Sequence, residues 1–258
     1  MTIATLPRQG RNIGYRIEGD ANKAPLLLLH GGLGSMDDFA AVLPSLAEQF
    51  HVIQMDFRGH GRSTLGNLST SSPSISYARH LQDVIALLDH LAIERCSVLG
   101  FSDGGIVGYW LACQYPQRVQ RLVTVGSQWR LADDDPARAI LADVTESFWR
   151  QQFAPEVASY EQSNPEPDFT RLLQQVQCMW LDGSGYPQQQ VQNIVCPVLL
   201  MRGDEDFLLS LAETIALQQQ LADACIANIP MASHALLQEQ PTVAVTLIRQ
   251  FLENNEAE

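Results

Sequence analysis

The run Val98-Leu99-Gly100-Phe101-Ser102-Asp103-Gly104-Gly105 constrains the fold of this chain more than any other stretch. An apolar run, Cys96-Ser97-Val98-Leu99, comes before it, and a helix-compatible run, Ile106 to Tyr115, follows and stops at Pro116. A G-x-S-x-G sequence between a strand and a helix forces its serine into a sharp turn. The hydroxyl is lifted above the sheet, and the helix amino end lies beneath any charge that forms there. Backbone strain is expected at Ser102, and the positions two residues to either side must be small because other backbone approaches them closely. Gly100 and Gly104 meet that requirement, and Gly105 and Gly108 extend a small-residue face for packing on the sheet.

Four further segments fall in a telling order. Leu26-Leu27-Leu28-Leu29-His30-Gly31-Gly32 reads as a buried strand running into a glycine turn. Met55-Asp56-Phe57-Arg58-Gly59-His60-Gly61-Arg62-Ser63 follows an apolar strand at Val52-Ile53. A late strand, Val198 to Met201, ends in Gly203-Asp204-Glu205-Asp206, and Ser233-His234 comes last with Glu239 and Pro241 behind it. Nucleophile, then acid, then histidine is the chain order of one triad architecture and differs from the chymotrypsin-like and subtilisin-like orders.

With those residues in place, the sequence resembles the α/β-hydrolase superfamily over nearly its whole length. The elbow wording Gly-Phe-Ser-Asp-Gly-Gly, with Trp180 and Asp182 late in the chain, is most similar to biphenyl-hydrolase-like or valacyclovir-hydrolase-like esterases. The resemblance implies an α/β fold with a mostly parallel central sheet flanked by helices, and a helical lid inserted after the sixth strand. It implies a serine hydrolase that cleaves a small carboxylic ester through an acyl-enzyme intermediate. Aminopeptidase, thioesterase and carbon–carbon bond hydrolase activities occur on the same scaffold, because fold does not fix reaction. A non-catalytic ligand-binding protein is the reading from a different class, and the presence of all three triad positions argues against it.

Residue periodicity supports that organisation. Residues 1–19 suggest a short hairpin with Asn12 to Glu18 as its clearer strand, and further strands are expected at 25–30, 50–55, 95–100, 119–125, 196–202 and 224–229. Residues 66–74 read as a loop, and the tail 253–258 as frayed. Leu81, Val84, Ile85, Leu88 and Leu91 fall on one face of a helix over 75–91. Helices are also expected at 103–115, 210–221 and 240–252. Residues 128–188 carry no convincing strand, are locally acidic, and read as helical near 136–152 and 167–181. That gives a core of 1–127 with 189–258, and a lid of 128–188.

The 258 residues, 46% hydrophobic and 17% charged, suit one α/β domain with an insertion. A net charge of −13 lacks the basic footprint that nucleic-acid binding needs, and favours neutral or cationic substrates over anionic ones. No apolar run approaches the length of a membrane span or a secretion signal, so no membrane partner is expected. The 5 cysteines form no C-x-x-C pair and fit free thiols in a reducing, cytoplasmic compartment. No metal-ligand spacing is present. Gly31-Gly32-Leu33-Gly34 lacks dinucleotide-binding spacing, so no cofactor is expected.

Individual roles follow. Ser102 is the expected nucleophile and needs a base. His234 is the expected base, since only it lies after the last strand, where its loop reaches the elbow. His80 and His90 are expected on the surface of their helix, and His30 is expected to order the glycine turn. Asp204, Glu205 and Asp206 compete as the orienting acid; the resemblance implies Asp206, three residues after the glycine. The proline frequent after that acid in the superfamily is absent, and Phe207-Leu208-Leu209 stands there. Backbone N–H groups of Gly32 and Asp103 are the expected oxyanion hole. The Asp103 side chain has two readings: an acid stabilised by the helix dipole, or a carboxylate that binds a substrate ammonium. Arg58 and Arg62 are expected to pair with nearby acids. Trp129, Trp149 and Trp180 are expected substrate contacts under the lid.

Overall fold

The computed structural model describes residues 3–8, 10–66 and 75–253. The chain forms an 8-stranded sheet in the order β1-β2-β4-β3-β5-β6-β7-β8. Its strands are β1 (Ala4–Arg8), β2 (Arg11–Glu18), β3 (Pro25–Leu29), β4 (His51–Met55), β5 (Cys96–Phe101), β6 (Val119–Val125), β7 (Val198–Gly203) and β8 (Ala224–Ile229). The β1–β2 and β2–β4 pairs are antiparallel, and every other pair is parallel.

The four leucines of β3 show why its sequence is apolar without alternation. Leu27 and Leu29 enter one core and Leu26 and Leu28 the other, and all four are fully buried. A strand covered on both faces needs apolar side chains on both, as parallel strands between helical layers do. The helices are α1 (Leu43–Ala47), α2 (Tyr77–His90), α3 (Asp103–Gln114), α4 (Pro136–Ala142), α5 (Glu146–Gln152), α6 (Ala154–Ser163), α7 (Phe169–Leu181), α8 (Leu211–Gln218), α9 (Leu236–Glu239) and α10 (Pro241–Glu253). Side chains of α2, α3 and α7 pack into the core with Leu27 and Leu29, and those of α1 and α10 into the core with Leu26 and Leu28.

The chain leaves β3 for β4 on one side and later enters β5 on the other. The strand order therefore reverses at β3/β5, and such a switch point opens a crevice beyond the carboxyl ends of the strands. The glycine turn after β3 and the serine turn after β5 both lie at this edge.

Two expectations are corrected here. The helix anticipated over 136–152 breaks into α4 and α5, because the Thr145 hydroxyl accepts the Phe148 N–H and starts a new helix. Pro155 stands in the first turn of α6, where proline sacrifices no intrahelical bond. His80 is not on the surface of α2. It lies three residues from Tyr77 on the buried stripe, and its ring stacks on Phe57 at 4.3 Å. The residues read as a loop, 66–74, lie outside the described residues apart from Gly66, and the tail does so after Glu253.

Candidate active site

Ser102 joins β5 to α3 with φ 51° and ψ −118°, a conformation that non-glycine residues rarely adopt. Its N–H is held by the Val125 carbonyl at 2.8 Å. The neighbouring glycine is required by contact. A Cβ on Gly104 would collide with the Leu29 carbonyl oxygen. Close approach of α3 to the end of β3 thus brings the two turns together.

His234 lies on the loop between β8 and α9, with its Nε2 3.1 Å from Ser102 Oγ. Its Nδ1 is 3.0 and 3.1 Å from the two Asp206 oxygens. The tautomer that satisfies both partners donates Nδ1–H to Asp206 and accepts the Ser102 hydroxyl at Nε2. Burial alone would raise the Asp206 carboxyl. The His234 hydrogen bond and charge, with the Leu208 and Leu209 N–H groups, outweigh it and hold the carboxyl below its ordinary value. Asp204 and Glu205 are exposed, and Asp206 is buried.

The acid loop closes without a proline. Asp206 Oδ1 accepts Leu208 N–H at 2.9 Å and Leu209 N–H at 3.1 Å, and buried Arg202 donates its Nε–H to the Leu209 carbonyl at 2.9 Å. Arg202 is legible in the sequence only as an arginine in an apolar strand. The histidine loop is tied by Glu239, which accepts the Ser233 N–H at 2.6 Å and the Ser233 hydroxyl at 2.7 Å. Gly126, at φ 60°, leaves room for the pair: a Cβ there would sit 3.0 Å from both Asp206 Oδ2 and His234 Nδ1.

The glycine turn after β3 is fixed by His30 and Asp38. His30 accepts the Phe57 N–H at its Nε2, 2.8 Å away, and donates Nδ1–H to the Gly31 carbonyl at 2.7 Å. Asp38 accepts the Gly31 and Ser35 N–H groups at 3.3 and 3.2 Å. Burial raises its carboxyl to about 7. Sequence reasoning missed Asp38, although the Ser35-x-x-Asp38 capping box is visible in the chain. Arg58 and Arg62 pair with acids as expected, Arg58 with Asp83 at 2.7 Å and Arg62 with Asp37 at 2.5 Å.

Asp103 heads α3, but its carboxylate turns to other elements. Oδ1 accepts the Tyr77 hydroxyl at 3.0 Å and Oδ2 accepts the Trp180 indole N–H at 2.8 Å. Burial raises this carboxyl to about 6, against the two hydrogen bonds and the His234 charge. Trp180 also meets the glycine turn, since a Cβ on Gly32 would lie 2.6 Å from its ring and 2.5 Å from Asp103 Oδ2. Trp149 packs on Phe153 and Trp180, with ring centroids 4.4 and 6.5 Å away. Trp129 faces elsewhere: its indole N–H donates to Glu213 of α8 at 3.1 Å, and Arg130 stacks over its ring.

Among the described residues, no group of three or more His, Cys, Asp or Glu side chains is disposed to hold a metal ion. No helix of the described residues is long and apolar enough to cross a membrane. A serine on a strained backbone, an imidazole within hydrogen-bond reach of its hydroxyl and a carboxylate against that imidazole make an arrangement chemically suited to nucleophilic attack.

Comparison with known proteins agrees in fold. A model of the alpha/beta hydrolase fold family matches residues 24–176. A human serine hydrolase-like protein is 30% identical over 132 residues, 50% of this chain and 63% of that one, so the chain spans less than two thirds of that relative's length. The human serine hydrolase BPHL is 26% identical over 249 residues, 92% of this chain and 81% of that one. Among solved structures, a hydrolase from Pseudomonas aeruginosa PA01 is 26% identical, covers 98% of both chains and superposes with a TM-score of 0.78.

Proposed function

The chain belongs to the alpha/beta hydrolase fold family, and from that premise we propose that it is a serine hydrolase cleaving a small carboxylic ester through an acyl-enzyme intermediate. The carrying observation is the continuous hydrogen-bonded relay from Ser102 through His234 to buried Asp206. In this reading Ser102 Oγ attacks the ester carbonyl and His234 Nε2 takes its proton. Asp206 fixes the Nδ1–H tautomer and stabilises the imidazolium that forms. The Gly32 and Asp103 N–H groups bind the oxyanion of the tetrahedral intermediate. Asp103 is suited to this as the first residue of α3, where amides have no intrahelical acceptor. His234 then protonates the leaving alcohol. Water, deprotonated by the same imidazole, attacks the acyl-enzyme and frees the acid and Ser102.

Residues 128–188 act in this reading as a lid on a core of 1–127 and 189–258, with Trp149 and Trp180 as its apolar wall. The substrate is a neutral or cationic small molecule. The test is intact-protein mass spectrometry after a fluorophosphonate probe, on wild type, Ser102→Ala and His234→Ala. One adduct on Ser102, absent from both variants, is expected. A folded wild type that takes up no probe would overturn the proposal.

A further inference from the structure

We propose that the Asp103 side chain is a positioning group that latches helix α7 onto the oxyanion turn, closing the carboxylate to substrate amines. This rests on the serine-hydrolase reading above. Three separate elements meet at Asp103: the start of α2 through Tyr77, the elbow through its own backbone, and the end of α7 through Trp180. Each carboxylate oxygen has a donor, at 3.0 and 2.8 Å, and the residue is 4% exposed.

Two further bonds secure the end of α7 and the segment that follows it, one within that segment and one to α3. The Tyr186 hydroxyl donates to the Trp180 carbonyl at 2.9 Å, and Trp110 of α3 donates its indole N–H to the Gly185 carbonyl at 2.8 Å. Trp180 is thereby held by both its indole and its backbone. Its ring lies where a Gly32 Cβ would be. The indole therefore bridges the two residues whose N–H groups form the proposed oxyanion hole, one on each turn. Their mutual placement depends on where α7 holds that ring.

The latch also answers an electrostatic difficulty. An unrestrained carboxylate one residue after the nucleophile could swing toward the developing oxyanion and oppose it. Tyr77 and Trp180 occupy both oxygens instead and hold the carboxylate in place, and donors aimed at an anion are the stronger class of hydrogen bond. A substrate ammonium would have to displace Tyr77 or Trp180 from a buried oxygen and lose its own hydration, which is unfavourable without a further partner.

The test uses Asp103→Asn, Trp180→Phe, the double variant and Tyr77→Phe in the full chain. Each is followed by the rate of Ser102 phosphonylation by a fluorophosphonate, by thermal unfolding, and by turnover of p-nitrophenyl acetate and the p-nitrophenyl ester of glycine. Displacing an oxyanion donor without deleting it should slow phosphonylation by about tenfold to a hundredfold in Asp103→Asn and Trp180→Phe, below the loss seen when a donor is removed. On p-nitrophenyl acetate the loss should lie in kcat rather than KM. The double variant should be no slower than the slower single variant, as expected when both changes break one contact. The preference between the two esters should not move, and the probe should still reach full occupancy of Ser102.

Singles that label at the wild-type rate, or losses that multiply in the double variant, overturn the latch. So does a loss confined to the glycine ester, which would give the carboxylate to the substrate. If Trp180→Phe fails to fold, Tyr77→Phe, which deletes one hydroxyl, should still slow phosphonylation, and an unchanged rate refutes the latch. A wild type that takes no probe instead defeats the serine-hydrolase reading on which the latch rests.

Discussion

Replacing Asp206 by asparagine isolates what the acid does, because the change preserves shape and exchanges one acceptor for a donor. In the structure Oδ1 already accepts Leu208 and Leu209 N–H groups, so the asparagine carbonyl oxygen will keep that place. The new NH2 then occupies the Oδ2 position, 3.0 Å from His234 Nδ1. Two donors cannot share that contact, and the imidazole must move its proton to Nε2. Nε2, 3.1 Å from Ser102 Oγ, then carries a hydrogen where a lone pair is needed. By analogy with the same change in a serine-protease triad, kcat should fall about 10⁴-fold, equivalent to about 5.5 kcal/mol of transition-state stabilisation. KM should change little, since Asp206 touches no substrate in the proposed mechanism. Steady-state kinetics on a p-nitrophenyl ester with parallel circular dichroism measures it. A folded variant within about tenfold of wild type would refute the assignment, because a wrong tautomer cannot retain that rate.

Three other perturbations have defined outcomes. Glu239→Gln keeps one acceptor for the Ser233 pair and presents a donor in place of the other, so His234 loosens and kcat should drop about fivefold with Tm nearly unchanged; unaltered kcat would remove Glu239 from the positioning set. Gly126→Ala combines a left-handed backbone with contacts at 3.0 Å, and should lower stability by about 1–2 kcal/mol as well as activity; an unshifted urea midpoint would refute the steric reasoning. His80→Phe should raise the urea midpoint at neutral pH, because among the described residues neither His80 nitrogen has a hydrogen-bond partner. Burial, with the neighbouring His60, Arg58 and His30 charges, keeps folded His80 well below the ordinary imidazole value, whereas the unfolded chain protonates it as pH falls through about 6.5. The unfolded state then binds the extra proton, so His80 removes about 1.4 kcal/mol per pH unit below that point, and His80→Phe should lose stability less steeply between pH 6 and 5. Identical slopes for the two proteins would show that His80 takes no part in the acid response.

The sequence by itself determined the sheet, the elbow and the chain order of serine, acid and histidine. Continuous leucine at 26–29 fits a strand buried on both faces, and glycine at 100 is dictated by backbone contact with Gly104 and Gly105 within one turn. These are local constraints, written in a few neighbouring residues. The resemblance pointed to Asp206 among three acids in a row, but only the tertiary structure shows Asp206 facing His234, a residue distant in the chain, with Asp204 and Glu205 exposed. It alone buried His80, since helix periodicity gives a stripe but not its edges, and it alone turned Trp129, which lies between β6 and α4, toward α8. The carboxylate of Asp103 is the clearest case. Its partners, Tyr77 and Trp180, lie on helices before and after its own, and nothing near Asp103 in sequence announces either donor. A contact made by three elements becomes visible only when the chain has folded and burial leaves that oxygen no water to bind.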